Sequence, residues 1–367
     1  MGIVEATRRY ESWMASRCEV VTADLDAKHA AMASSPFVFL RGTFYRFIEL
    51  WPELFAELRD APRVLAVGDL HIENFGTWRD TEGRLVWGVN DVDEAAPLPY
   101  CVDLVRLAVS ARLAITERGL DITPRAACDA LVAGYRDSLT RGGRALVLVE
   151  HDRWLRRIAT TKLREPTRFW RRTENIPGEQ AVDPQARHVL ETVMPRCDQD
   201  YTVGSRRAGV GSLGRPRYIA VGVSHGSHVA RECKWMLPSA ATLSGVPARA
   251  GAPGTGLRLL ERAVRAADPM VAAVDGWLTR RLGPDCARIE LTDLPGSLDE
   301  ERLLRAMGWE TANLHLGTPP AKDVVLADLE RRPRDWLLDA SRRGERATRR
   351  DWSAWRRADR GKRKTTG

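Results

Sequence analysis

Asp69, Asn74, Asp91 and Asp93 are the side chains whose types and spacing point most directly to chemistry. Asp69 and Asn74 share the segment Val67-Gly-Asp-Leu-His-Ile-Glu-Asn-Phe-Gly76, which follows a strand expected over Val64–Val67. Asp91 and Asp93 close the next expected strand, Leu85–Val89, and the Asp80-Thr-Glu-Gly83 turn predicts a hairpin between them. Such a hairpin would bring Asp69, Asn74 and Asp91 to one edge of a small sheet. There one carboxylate can orient a nucleophile, while an amide oxygen and a second carboxylate hold a hard divalent cation. These are the parts that phosphoryl transfer requires. The plainer reading is that polar residues dress two turns.

A second set lies far downstream. Gly209-Val-Gly-Ser-Leu-Gly214 falls between strands expected at 201–203 and 218–223, and a third strand is expected at 228–234. A dinucleotide fingerprint must open a helix. Here Pro216 and an apolar, β-branched strand follow, which fits a glycine hairpin whose amides approach phosphate oxygens. Gly209, Gly211, Ser212 and Gly214 are therefore candidate nucleotide contacts; the alternative is a glycine-rich turn and nothing more. Lys234 ends the third strand, placed to reach the α- and β-phosphates. Its expected partner is Glu261, on a helix read over 257–267, in preference to Glu232 on its own strand.

The remaining elements frame these two sets. Helical patterns cover 3–33 and 37–58, broken by Ser34-Ser-Pro36. Arg41 is an isolated charge in an apolar setting, suited to meeting a phosphate or to pinning an acidic loop residue. A helix runs to about Arg118 with Asp103 at its start, where a carboxylate can serve as an N-cap. Another helix is expected over 124–140. Residues 141–200 read as a linker with helices, 287–291 as a strand, 292–296 as a connector, and 299–316 as a helix ending in a packed His315.

These motifs resemble the catalytic and metal-binding loops of protein-kinase-like enzymes, especially the aminoglycoside and choline kinase branch. That pattern is His-Gly-Asp-x-His-x-x-Asn followed by an apolar-apolar-Asp segment. Gly68, Asp69, Leu70, His71 and Asn74 match it, whereas Val67 replaces the leading histidine. The resemblance implies that Asp69 is the catalytic base, Asn74 a metal ligand and Asp91 the principal metal ligand, with Asp93 as the alternative for the last. It also implies that Asp103 accepts hydrogen bonds from the catalytic-loop backbone and that 292–296 is the hinge that meets adenine. In ordinary kinases the glycine loop, lysine, glutamate helix and hinge precede the catalytic loop; here they follow it, which implies a circularly permuted arrangement. Together with Phe39-Leu-Arg-Gly42, Asn90-Asp-Val-Asp-Glu94 and Gly308-Trp-Glu-Thr-Ala-Asn-Leu-His315, the pattern looks like the bacterial family called domain of unknown function 2252, over most of residues 36–318. Two segments depart from that family: Lys234-Trp-Met236 stands where Lys-Glu-Ala is common, and Ala-His-Ala is often found near the position of His315. The family lends no settled function.

Composition bounds the rest. The chain of 367 residues is 44% hydrophobic and 29% charged, enough for one large or two modest domains with a sizeable core. No run of about 18 apolar residues is present, and the first residues lack the apolar block of a signal peptide. The 6 cysteines are scattered without a CxxC pair, which argues against a zinc site and a disulfide framework and makes a reducing cytoplasm the default location. The net charge of +8 is concentrated in the tail, where Arg342–Lys364 also carries Trp352 and Trp355. Such a tail suits either nucleic-acid contact or a solvated helix.

The expected fold is thus α+β, kinase-like and two-lobed: 1–200 as the first part of the large lobe, 201–296 as the small nucleotide lobe, and 297–367 as the return to the large lobe and basic tail. The expected activity is phosphoryl transfer from ATP with Mg²⁺ to an unidentified hydroxyl acceptor. Nucleotidyl transfer on the same fold, or a non-catalytic nucleotide- or nucleic-acid-binding module, are the alternatives.

Overall fold

The computed structural model describes residues 1–148, 150, 153–162, 166–174, 182–286 and 297–365. The strand expected at 287–291 and the connector at 292–296 lie outside the described residues. In chain order the elements are α1 (Ile3–Ala15), α2 (Thr22–Ser34), α3 (Pro36–Gly42), α4 (Phe44–Leu54), β1 (Arg63–Ala66), β2 (Phe75–Arg79), β3 (Leu85–Val89), β4 (Ala96–Pro99), α5 (Cys101–Arg118), α6 (Pro124–Arg141), β5 (Leu146–Val147), α7 (Arg153–Lys162), α8 (Pro166–Glu174) and α9 (Pro184–Val193). They continue with β6 (Thr202–Ser205), β7 (Arg217–Ser224), β8 (Ser227–Trp235), α10 (Thr255–Arg262), β9 (Ala272–Val274), β10 (Trp277–Leu282), α11 (Ser297–His315), α12 (Ala321–Arg331) and α13 (Trp336–Thr365). The result is a mixed α and β protein whose small sheets are antiparallel.

The Asp80–Gly83 turn does make a hairpin, but between β2 and β3, with Phe75 opposite Val89. β1 instead pairs with β4, which holds Pro97-Leu-Pro99 and was not expected as a strand. Proline is tolerated there because a two-stranded ribbon consists only of edges. The helical stretch 3–33 divides into α1 and α2, and 37–58 into α3 and α4. Pro36 begins α3 at the position where a missing N–H costs nothing, and Ser35 caps that helix by accepting from Val38 N.

The main core gathers α4, α5, α6, α11 and the start of α13 around β1 and β3. α6 and α11 cross with backbones nearly touching: a Cβ on Gly308 would lie 2.1 Å from the Leu131 carbonyl oxygen, and one on Gly134 would lie 1.9 Å from that of Arg305. Glycine costs a helix interior about 1 kcal/mol relative to alanine, so this close crossing is what the two glycines supply. It seats the C-terminal half of α11, with Glu310, Asn313 and His315, against the core. α13, read as a basic tail, packs one face on the N-terminal helices. Trp355 is buried with Ile3, Met32 and Phe39 and donates to the His29 carbonyl, while Asp351 accepts from Arg46 at 2.7 Å.

β6, β7, β8, β10 and β9, in that order, form one antiparallel sheet. β9 and β10 were not expected. Their turn is Asp275-Gly276, both at positive φ (48° and 86°), the dipeptide that suits a tight hairpin. Alternation gives the sheet two different faces. One buries Val203, Ala220, Cys233 and Trp277 under Ala186, Val189 and Leu190 of α9. The other is apolar at one end, where Ile219, Val221, Ala230 and Leu282 meet Phe169 of α8, and charged at the other. The cover of this sheet therefore reaches back to Phe169, ahead of the boundary expected at residue 201.

Candidate functional site

The loop after β1 is built by its backbone. Asp103 is fully buried on the first turn of α5, and its two oxygens accept from Val67 N at 2.7 Å and Gly68 N at 2.8 Å. It does not cap the helix: the N-cap is Tyr100. His315, the buried end of α11, joins Nε2 to Asp103 at 2.9 Å and Nδ1 to the Tyr135 hydroxyl at 2.7 Å. A carboxylate only accepts, so Nε2 is the donor toward Asp103. Gly68 turns at φ 81°, where a Cβ would strike the Glu94 carbonyl oxygen at 2.4 Å. Only glycine lets the two acidic loops approach this closely.

Asn74 then ties those loops together. Its amide donates to the carbonyls of Asp69 (3.1 Å) and Asp91 (2.9 Å), and its oxygen accepts from Asp91 N at 2.9 Å. Asp69, Asn74 and Asp91 are thus brought to one place, but not by a hairpin of β1 with β3: the β2–β3 hairpin sets Asn74 beside Asp91, and the loop that follows β1 brings in Asp69. The Asn74 oxygen, expected as a metal ligand, is engaged here by the Asp91 amide.

Asp69 has a partner that the sequence reading missed. Arg106, fully buried on α5, donates from Nε (2.9 Å) and Nη2 (2.5 Å) to Asp69 Oδ1, and from Nη2 to the Leu40 carbonyl at 2.6 Å. Its guanidinium packs on the Phe44 and Phe47 rings. The clue was present: Arg106 interrupts an apolar run in the same way as Arg41. Burial pushes the Asp69 carboxyl above the usual carboxylate range; Arg106 opposes this, and nearby Asp91 adds to it. Arg41 itself pins an acidic loop residue, meeting Glu73 at 2.5 Å, where Arg118 also converges.

The charged end of the sheet faces this loop. The Lys234 ammonium lies against Asp93 Oδ2 and 3.6 Å from Asp91 Oδ1. The expected partner, Glu261, is exposed on α10; it lines with Lys234 a mainly apolar cavity of about 130 Å³ that includes Leu257, Leu260 and Val271. Glu232, set aside as a strand neighbour, is two residues from Lys234 and so shares its face. It is buried and gathers Arg206, Arg217 and Arg280. Burial pushes the Asp91 carboxyl up, but Lys234, Arg280 and Arg217 together outweigh that and hold it well below the usual range. Burial in turn lowers the Lys234 ammonium, against the pull of Asp91 and Asp93.

The glycine segment is the loop joining β6 to β7, with positive φ at Gly209 and Gly214 and a single helical turn over Val210–Ser212. A Cβ on Gly211 would lie 3.2 Å from Asp69 Oδ2, so the loop lies directly over the acidic site. α2 holds it there: Lys28 Nζ donates to the Gly211 carbonyl at 3.1 Å, Val21 N to that of Gly214 at 3.0 Å, and Arg207 pairs with Asp24 at 2.7 Å. Between loop, sheet and acidic segment lies a cleft of about 310 Å³ whose walls include Asp69, Asn74, Asp91, Gly209, Gly211 and Ser212.

Lys28 gives the first prediction. It is buried, and burial followed by repulsion from Arg215 lowers its ammonium from 10.5 to about 8. Below about pH 8 the lysine is charged in both states and the burial cost is fully present. Between about 8 and 10.5 the unfolded chain holds a proton that the folded chain has released, so stability rises with pH across that window. The wild type should gain roughly 3 kcal/mol relative to Lys28→Met between pH 8 and 10.5. Urea denaturation of both proteins at several pH values measures this, and parallel pH profiles would refute it.

Among the described residues no three His, Cys, Asp or Glu side chains converge as a metal cage. Mg²⁺ usually takes only one or two carboxylates together with substrate phosphates. The Asp91–Asp93 pair, all-oxygen and already turned toward a cation, fits that demand.

The fold and site define a mixed α and β protein with a charged cleft between a glycine-loop sheet and a buried acidic loop. Residues 20–169 match the family described as an uncharacterized protein conserved in bacteria (DUF2252), which supports the family read from the two acidic motifs. The glycine loop, Lys234 and the α11 motif lie beyond the matched residues. No curated protein and no solved structure matches the chain significantly. No helix among the described residues is long and apolar enough to cross a membrane.

Proposed function

We propose that this protein is an ATP-dependent phosphotransferase with a circularly permuted kinase-like arrangement. The observation that carries the reading is the meeting of Lys234 with Asp93, 141 residues away in sequence, and with Asp91, beside Asp69 and beneath the glycine loop. Glycine loop, lysine-bearing strand and following helix stand in the chain order of a nucleotide lobe, and they face the loop that resembles a catalytic one. The mainly apolar cavity beside Lys234 suits a base, and the polar cleft suits phosphates.

In this reading Asp69, with Oδ1 held by Arg106, orients the acceptor hydroxyl. Asp91 and Asp93 would hold Mg²⁺, which when bound supplies charge neutralisation for the phosphates. Lys234 and the glycine loop position the phosphate chain. Asp103 and His315 fix the backbone that carries Asp69. Catalysis of this kind rests on positioning and electrostatics.

The test is thermal unfolding with and without ATP and Mg²⁺. A ligand that binds only the folded state stabilises it by about 2.7 kcal/mol at 100 times its Kd. A metal-dependent rise in Tm is expected for the wild type and its loss for Asp91→Asn. A well-folded wild type that shifts with neither ATP nor GTP would sink the reading.

A further inference from the structure

The charged end of the sheet carries more guanidinium than one lysine site needs. Arg217 on β7 stands opposite Lys234, and Arg280 on β10 stands opposite Glu232, so all four side chains share the face turned to the cleft. Both arginines converge on one carboxylate oxygen: Arg217 Nη1 reaches Glu232 Oε1 at 2.9 Å and Arg280 Nε reaches the same atom at 2.7 Å. Arg217 Nη2 also donates to Ser212 Oγ at 2.6 Å, which couples it to the glycine loop. Arg217 is buried, while the Arg280 side chain remains 30% exposed.

An Arg–Glu–Arg cluster can be plain architecture, and buried ion pairs alone are weak evidence for anything more. Two features set this one apart. Both guanidiniums line the cleft that holds Asp69, Asn74 and Asp91. Like charges are also crowded: burial and the nearby Arg280 lower Arg217 to about 10. Arg217 and Arg280 on one Glu232 oxygen and Arg206 on the other, beside Lys234 and lining a cleft, concentrate cationic donors that suit anionic oxygen.

We propose that Arg217 and Arg280 form a phosphate clamp, held in place by Glu232, that takes the terminal phosphates of a polyphosphate ligand. The proposal deepens the reading above and rests on it for the nucleotide, whereas the clamp can be tested with a bare phosphate chain. Phosphate oxygens arriving here compete with Asp91 and Asp93 for Lys234, and so release both carboxylates for a divalent cation. Polyphosphate and Mg²⁺ should therefore each tighten the binding of the other, by the same factor.

The experiment is calorimetric titration of the full chain with ATP, AMP and inorganic tripolyphosphate, with and without Mg²⁺, for wild type, Arg280→Gln and Arg280→Lys. Arg280 is chosen because it is partly exposed, and circular dichroism verifies folding. Arg280→Gln should weaken ATP and tripolyphosphate by about 10- to 100-fold, the range for hydrogen bonds to charged groups. It should leave AMP within about twofold, and Arg280→Lys should fall in between because it keeps the charge but loses the planar fork. Unchanged ATP and tripolyphosphate affinities in Arg280→Gln would overturn the clamp and leave the nucleotide reading standing. Arg280-dependent binding of tripolyphosphate without any binding of ATP would support the clamp and remove the nucleotide. Binding of neither ligand by the wild type would overturn both.

Discussion

Arg106→Met is expected to destabilise the protein by about 3–5 kcal/mol, the usual cost of removing one partner of a buried charge pair. The fully buried guanidinium makes two hydrogen bonds to Asp69 Oδ1 and one to the Leu40 carbonyl. Methionine fills most of the volume between Phe44 and Phe47 but donates nothing. It would leave the Asp69 carboxylate in a site where burial and Asp91 already raise its proton affinity. Loss of Arg106, the largest opposing influence, raises it further. The sign follows: with a folded-state carboxyl above its unfolded value, stability falls as pH rises through that range, so acidification should recover part of the loss in Arg106→Met. Adding Asp69→Asn should also recover part of it, with a coupling of about 1–3 kcal/mol between the two sites. Urea midpoints of the two single variants and the double variant decide the matter. Strict additivity would mean that the pair does not act as a unit.

Asp69→Asn alone should reduce turnover by roughly 10²- to 10⁴-fold, the range for a positioned acid–base group. Nucleotide affinity should stay within about twofold of wild type. The amide oxygen of Asn still accepts from Arg106, so the loop keeps its shape. What is lost is the second carboxylate oxygen, which faces Gly211 and the cleft. Asp91→Asn should act differently: it removes a group held ionised by Lys234, Arg280 and Arg217, and so weakens Mg²⁺–nucleotide binding itself. Paired measurements of Kd and initial rate separate the two. Equal binding and equal turnover in both variants would refute the assigned roles.

The clearest sequence signals were local ones. The Asp80–Gly83 turn marked a hairpin leading into β3, though its first strand was expected at 64–67 and is β2, Ser35-Pro36 marked the start of α3, and the apolar period of 103–118 gave α5. The cluster of Asp69, Asn74 and Asp91 was legible from the spacing of its residues, although the strand pairing behind it was not: β1 and β3 belong to different sheets. The β9–β10 hairpin was also written in the sequence as Asp275-Gly276 and was overlooked. The pairing of β1 with β4 was not legible, since prolines argue against a strand unless its neighbours are known.

Which charges face one another was decided only by the tertiary structure. Arg106 reaches Asp69 because α5 passes beneath the loop, and His315 reaches Asp103 because Gly134 and Gly308 let α11 lie against α6. Lys234, Glu232, Arg217 and Arg280 share a face because strand register places them there, and Lys234 meets Asp91 and Asp93 because the acidic loop packs against that face. By itself the sequence determined which stretches are helical, where the Asp80–Gly83 turn falls and which loops carry carboxylates, since those follow from local propensity and spacing. The partners of those carboxylates, and hence their proton affinities, depend on contacts between residues far apart in the chain, which only the packed fold supplies.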